Sequence, residues 1–228
     1  MPAFLHTEDL WKIFEQKSLP VAALSAVSLE IEERAFTALS GPSGSGKTTL
    51  LTLIGGLDRP TKGKVYLEGE EISRLPQKRL TFFRLRKIGF IFQDYNLIPS
   101  FTASENIEYV LWLQGVQAGE RRKKSVEAAE RLGIASLLDR RPWQLSRGQQ
   151  QRVAVARAIV HRPRLVLGDE LTANLDQKTG IELMKYLKEL NQQEGITFLY
   201  ATHDPTMLAF AEQVIKMQDG KIPEHKPV

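Results

Sequence analysis

The segment Gly41-Pro42-Ser43-Gly44-Ser45-Gly46-Lys47-Thr48 constrains the fold of this chain more than any other. It fits the pattern G-x-x-x-x-G-K-[ST], in which glycines let backbone N–H groups turn inward and approach phosphate oxygens. A short apolar stretch, Ala35 to Ser40, runs into it and predicts a strand. Thr48 to Leu57 predicts a helix that closes at Gly55 and Gly56, ahead of Pro60. Such a helix presents its positive N-terminus to the same anion. In this arrangement Lys47 reaches the β- and γ-phosphates, and the Thr48 hydroxyl is a Mg²⁺ ligand. The phosphate-binding stretch runs from Gly41 to Thr49. At the ordinary glycine frequency of about 7%, only on the order of one random chain in a hundred would match.

A second segment, Leu165-Val166-Leu167-Gly168-Asp169-Glu170, ends an apolar strand in two adjacent carboxylates. Ligands of open α/β sheets sit beyond the carboxyl ends of the strands. Asp169 is placed to hold Mg²⁺ through water. Glu170 is placed to orient and deprotonate an attacking water. Acidic residues often end strands as turn or cap residues, so this pair gains its meaning from the phosphate loop upstream. Together the two segments predict a P-loop nucleoside triphosphatase. The N-K-x-D segment with which GTPases read their base does not occur in the sequence.

Strands and helices alternate along the rest of the chain. Ala26 to Ile31, Lys64 to Leu67, Ile88 to Phe92, Ile196 to Ala201 and Val214 to Met217 predict strands. Gln177 to Gln193 predicts an amphipathic helix ended by Gly195, and Pro205 to Ala211 a short one. Two helix-period stretches, Ala103 to Leu113 and Glu120 to Leu132, are separated by Gly115 and Gly119. Strands alternating with helices predict an α/β fold with a largely parallel sheet, interrupted by an α-helical insertion over about residues 93–160. All of it is expected to form a single domain over residues 1–228. With 228 residues, 42% of them hydrophobic, the chain can bury such a core.

Composition removes several function classes. The net charge of +4 is spread along the chain. Its richest basic stretch, Arg79 to Lys87, is interleaved with apolar residues and reads as a helix with a solvated basic face, so no nucleic acid is expected as partner. The absence of cysteine excludes disulfides, zinc–cysteine sites and thiol catalysis. No apolar run reaches the roughly 18 residues of a membrane span, and Met1 to Phe14 lacks a secretory h-region. A soluble, cytoplasmic chain is expected, one that acts on a membrane only through a partner.

Leu145-Ser146-Arg147-Gly148-Gln149 precedes a helical run, Gln150 to His161, shortly before the Asp169 strand. Here the sequence resembles the ABC ATPase family, whose signature is L-S-G-G-Q, with Arg147 in place of the first glycine. The resemblance implies that this loop contacts the γ-phosphate held by the other subunit of a dimer. Ser146 would offer a hydroxyl, Gly148 a close N–H and the following helix its dipole, with Gln149 beside them. The bare pentapeptide also reads as a helix start with Ser146 as N-cap.

Further segments fall in the family's order. Gln93, in Phe90-Ile91-Phe92-Gln93, matches the Q-loop glutamine, which senses Mg²⁺ and γ-phosphate while its loop contacts the membrane partner. Ala173-Asn174-Leu175-Asp176 resembles the D-loop and implies Asp176 at the dimer seam. Ala201-Thr202-His203-Asp204 resembles the H-loop, where His203 would hydrogen-bond the γ-phosphate. Asp204-Pro205 by itself reads as a cap followed by the first residue of a helix. Phe14 lies where the family places the aromatic residue that stacks on adenine, with Trp11 as the alternative.

The resemblance runs from Leu10 to Lys221 and is nearest to the lipoprotein-release and macrolide-exporter group (LolD-like and MacB-like). Phe92 to Pro99, Thr102 to Ile107, Leu145 to Arg152 and His203 to Pro205 carry it. Beyond Arg147, the chain departs from the family at Leu171, usually proline, and at Ala173, often glycine. All catalytic polar groups remain. The resemblance implies the ABC ATPase fold: an α/β, RecA-like P-loop core with the inserted α-helical subdomain and a small antiparallel β part near the N-terminus. It implies an active ATPase using ATP and Mg²⁺, as a homodimer that closes head to tail around two ATP. It implies an integral membrane permease as partner and a peripheral place on the cytoplasmic face of the inner membrane. An FtsE-like regulatory ATPase that moves no substrate is the alternative. Chromosome-maintenance ABC proteins carry long coiled coils or zinc modules, and translation-factor ABC proteins carry two cassettes; this sequence has neither. Arg147 has two readings: a guanidinium that adds charge near the γ-phosphate, or an outward side chain on a backbone of ordinary negative φ. The second is the expectation.

Overall fold

The computed structural model describes residues 3–15 and 19–223. In chain order these form β1 (Leu5–Phe14), β2 (Val21–Ile31), β3 (Phe36–Ser40), α1 (Lys47–Ile54), β4 (Lys62–Leu67), β5 (Glu70–Glu71), α2 (Gln77–Lys87) and β6 (Ile88–Ile91). Then follow α3 (Ala103–Leu113), α4 (Ala118–Arg131), α5 (Arg147–Ile159), β7 (Leu165–Asp169), α6 (Gln177–Glu194), β8 (Thr197–Thr202), α7 (Pro205–Leu208) and β9 (Gln213–Lys216).

The strands make two sheets. A parallel five-stranded sheet has the order β6-β7-β8-β3-β9. An antiparallel four-stranded sheet has the order β2-β1-β4-β5. The central strands β3, β7 and β8 are buried on both faces, and their alternation separates two cores. Phe36, Ala38, Val166, Phe198 and Tyr200 face one way and join buried residues of α3, α5 and α6. Leu39, Leu165, Leu167, Leu199 and Ala201 face the other way. There they meet Leu50, Leu51, Leu53 and Ile54 of α1, which in turn pack with Leu5, Leu10, Leu24, Val65 and Leu67 of the antiparallel sheet. α1 is thus held between two sheets, and its N-terminus is aimed by both.

Helix ends follow local chemistry. Thr102 caps α3 through a reciprocal box with Glu105, whose carboxylate accepts from the Thr102 N–H at 2.7 Å. α5 begins at Arg147, earlier than the run Gln150 to His161 predicts, because Ser146 and Gln149 form a second such box. Gly119 lies inside α4 and does not separate helices. α6 ends at Gly195, which takes the left-handed conformation expected of a C-terminal glycine.

β1 has no counterpart in the strand pattern read from the sequence. Its pairing with β2 carries register shifts between Thr7 and Leu10 and again near Lys12 and Ile13, and Asp9 has φ 41°. Each shift breaks the two-residue period by which a strand is recognised. α2 matches the basic stretch, with only Leu80 and Phe83 buried.

Candidate functional site

Between β3 and α1 the chain winds tightly around its own backbone. Gly46, the residue before α1, has φ 97°, and a Cβ there would sit 2.7 Å from the Ala23 carbonyl oxygen. A Cβ at Gly41 would lie 2.2 Å from the Met217 carbonyl oxygen. Side chains are therefore excluded at both ends of the loop, and the first N–H groups of α1 stay open to an anion. Lys47 is buried and folds back over the loop, donating to the Gly41 and Pro42 carbonyls at 2.8 and 2.9 Å. The Ser45 hydroxyl is buried without a hydrogen-bond partner.

Ser43, Gly44, Gly46, Lys47, Thr48 and Thr49 line a cavity of about 320 Å³, together with Gln93, Asp169, Glu170 and His203. Four loops at the carboxyl ends of β3, β6, β7 and β8 supply these groups. The Thr48 hydroxyl donates to Asp169 Oδ2 at 2.6 Å. Glu170 leaves β7 with φ 50°, a left-handed conformation rare for a side-chain-bearing residue, while its N–H remains bonded to the Ala201 carbonyl. This turn brings Glu170 Oε1 to 2.8 Å from His203 Nδ1. His203 itself is largely exposed, at 72% of its side chain. Asp204 does the separate work of capping α7, accepting from the Thr206 N–H at 2.8 Å.

The signature residues lie elsewhere. Ser146, Gly148 and Gln149 line a different cavity of about 350 Å³, with Asn174, Leu175 and Asp176. Ser146 Oγ accepts from the Gln149 N–H at 3.3 Å, and Gln149 Oε1 accepts from the Ser146 N–H at 2.9 Å. Asp176 caps α6 through the Thr179 N–H at 3.0 Å. The Thr179 hydroxyl and that N–H hold its carboxyl below the usual carboxylate range. Arg147 is the first residue of α5 and is not among the residues with positive φ. Burial holds the Tyr95 phenol above its ordinary range, opposed by the Arg147 guanidinium of the same chain.

A hydrogen bond links the loops that border the two cavities. Asn174 Nδ2 donates to the Gln93 carbonyl at 3.3 Å. Phe14 ends β1 opposite Val21, 43% exposed, with the Lys12 ammonium 5.1 Å from its ring centroid. Trp11 pairs across the sheet with Lys62. Neither aromatic residue lines the phosphate-loop cavity; on that side its wall is Ala23. No motif marks Ala23, whose backbone carbonyl closes on Gly46.

A family profile described as ABC transporter matches residues 24–173. An ATP-binding protein of an ABC transporter from Thermotoga maritima, itself uncharacterized, is 46% identical over 222 residues, covering 97% of this chain and 94% of that one. A macrolide export ATP-binding/permease protein, MacB of Brucella melitensis, is 42% identical over 218 residues, covering 96% of this chain and 34% of that protein. A solved structure of the ATP-binding cassette MJ0796, a dimer in a post-hydrolysis state bound to ADP and Pi, superposes with a TM-score of 0.93 at 40% identity. That superposition covers 96% of both chains.

Proposed function

The chain belongs to the ABC transporter family, and from that premise we propose that it is the ATP-binding, ATP-hydrolysing subunit of a transport complex, working as one half of a dimer. One observation carries this reading. The phosphate loop and its acids line one cavity, while the signature residues line another on the same chain. Each cavity is half of a nucleotide site, and two copies set head to tail make both halves whole. That the similar cassette MJ0796 is a dimer when bound to ADP and Pi supports a dimeric reading.

The roles follow from the contacts. The N-terminus of α1 and the loop N–H groups bind the phosphates, and Lys47 moves from its own loop carbonyls to the β- and γ-oxygens. Thr48 and Asp169 bring oxygen donors within 2.6 Å of each other, a set that suits a small hard cation, with Gln93 on the same wall. Mg²⁺ held there would neutralise phosphate charge. Glu170, fixed by its left-handed backbone and by His203, orients and deprotonates the attacking water. His203 is placed to reach the γ-phosphate. Ser146, Gly148 and Gln149 serve the partner copy's nucleotide, with Asp176 at the seam. Phe14 is the candidate for adenine stacking.

The membrane partner meets the segment that follows Gln93, within a helical subdomain of approximate span 93–160. Phe101 meets Tyr109 edge-on and Tyr109 stacks on Trp112 there, with Trp112 57% exposed. A transport role of the lipoprotein-release or macrolide-export type fits the likeness to MacB. The chain would then sit on the cytoplasmic face of the membrane, and none of its described helices is long and apolar enough to cross one. Purified protein should hydrolyse ATP only with Mg²⁺ present, and Lys47→Ala should abolish turnover and weaken nucleotide binding. Turnover of Lys47→Ala near the wild-type rate would refute the assignment.

A further inference from the structure

α5 touches three functional segments at once. Ser146 caps its N-terminus. One turn on, buried Gln151 donates Nε2–H to the Leu171 carbonyl at 2.8 Å, directly after Glu170. Near its other end Arg157 reaches the segment that follows Gln93. Its Nη1 donates to the Asn96 carbonyl at 2.5 Å and its Nη2 to the Tyr95 carbonyl at 2.6 Å.

Tyr95 and Asn96 have φ 60° and 46°, two consecutive side-chain-bearing residues in the left-handed region. Such a conformation persists only where the surroundings fix it. A planar guanidinium fork matches two adjacent carbonyls, and a lysine ammonium cannot reproduce that geometry. Among the described residues Arg157 has no carboxylate within ion-pair distance, so its charge is spent on the strained carbonyls alone. Burial pushes Arg157 down to about 10, which leaves it charged at neutral pH. From Arg147 to Arg157 the helix rises about 15 Å, at 1.5 Å per residue.

We propose that Arg157 is a positioning residue: it clamps the Gln93–Asn96 segment to the helix that carries the signature serine, so that the Gln93 side chain keeps its place in the phosphate-loop cavity only while α5 is seated. A movement of α5 driven by the partner's nucleotide at Ser146 thereby reaches Gln93 of the same chain, 15 Å or so along a rigid helix. This rests on the ATPase reading above.

The test is steady-state hydrolysis of MgATP by the full chain. Arg157→Lys keeps the charge and loses the fork. Its kcat should fall about tenfold while KM for MgATP stays within twofold and Tm within a few degrees. Asn96→Gly, which accepts a left-handed backbone without a clamp, should restore turnover at least threefold in the double variant. Arg157→Lys turnover within twofold of wild type, or a loss that Asn96→Gly leaves unchanged, overturns the inference. Should Arg157→Lys not fold, the double variant is compared with Asn96→Gly alone. Retention of a third or more of that turnover supports the clamp, and a tenfold deficit overturns it. Wild-type protein that fails to hydrolyse MgATP would sink the ATPase reading instead, a result that these variants cannot mimic.

Discussion

His161, just past the end of α5, is the basis for a quantitative prediction about acid stability. Neither of its ring nitrogens has a hydrogen bond of normal geometry, and both are buried. Burial pushes the imidazole down from 6.5 to about 4, offset only in part by the Ile88 backbone. Lys124, Glu127, Arg131, Arg162, Tyr186 and Glu194 line the same cavity, where α4 and the end of α5 meet α6. The folded chain therefore resists a proton that the unfolded chain accepts. Below pH 6.5 the unfolded state binds more protons, and stability falls as the pH drops toward 4. At 1.36 kcal/mol per unit the whole effect is about 3 kcal/mol, of which about 2 kcal/mol is lost by pH 5. Urea denaturation of wild type and His161→Asn at pH 7.5 and pH 5 isolates it. Carboxylates with their own acid loss, such as Glu212 held down by its bond to Lys188, act in both proteins and cancel. Wild type should lose about 2 kcal/mol more than His161→Asn between the two pH values. Equal losses would refute the account of His161 as a buried neutral ring.

Two further substitutions probe the site. Arg147→Gly should lower stability by no more than about 1 kcal/mol, the helix propensity difference, and leave ATPase activity within a few-fold. A hundredfold loss with ATP binding intact would make Arg147 a trans-acting catalytic residue. Asp169→Asn removes the negative charge beside the Thr48 hydroxyl and should raise the Mg²⁺ concentration for half-maximal turnover at least tenfold; an unchanged Mg²⁺ dependence would place the cation elsewhere.

Much of the parallel core was legible because its strands are short, apolar and end in the residues that do the chemistry. The turn from β3 into α1 and the two acids at the carboxyl end of β7 lie where the sequence implies. The bulged hairpin partner β1 was not legible, because register shifts erase its alternation. Nor was the contact between Glu170 and His203, 33 positions apart, since it depends on a left-handed backbone at a non-glycine residue. Ser146 shows how one side chain can carry two readings. It caps α5, as the bare pentapeptide implies, and it also lines the cavity with Gly148. Gln151 and Arg157 lie in the helical run Gln150 to His161, where no motif singles them out, yet both reach across to loop carbonyls.

Dimer closure around nucleotide is the central claim, and Glu170→Gln tests it most directly. Loss of a general base slows hydrolysis by about 10²- to 10⁴-fold, so ATP should persist between two closed copies. Size-exclusion chromatography with light scattering should give twice the monomer mass for Glu170→Gln with MgATP, and the monomer mass with ADP or after Ser146→Phe is added. A Glu170→Gln protein that binds MgATP yet elutes as a monomer would contradict the account.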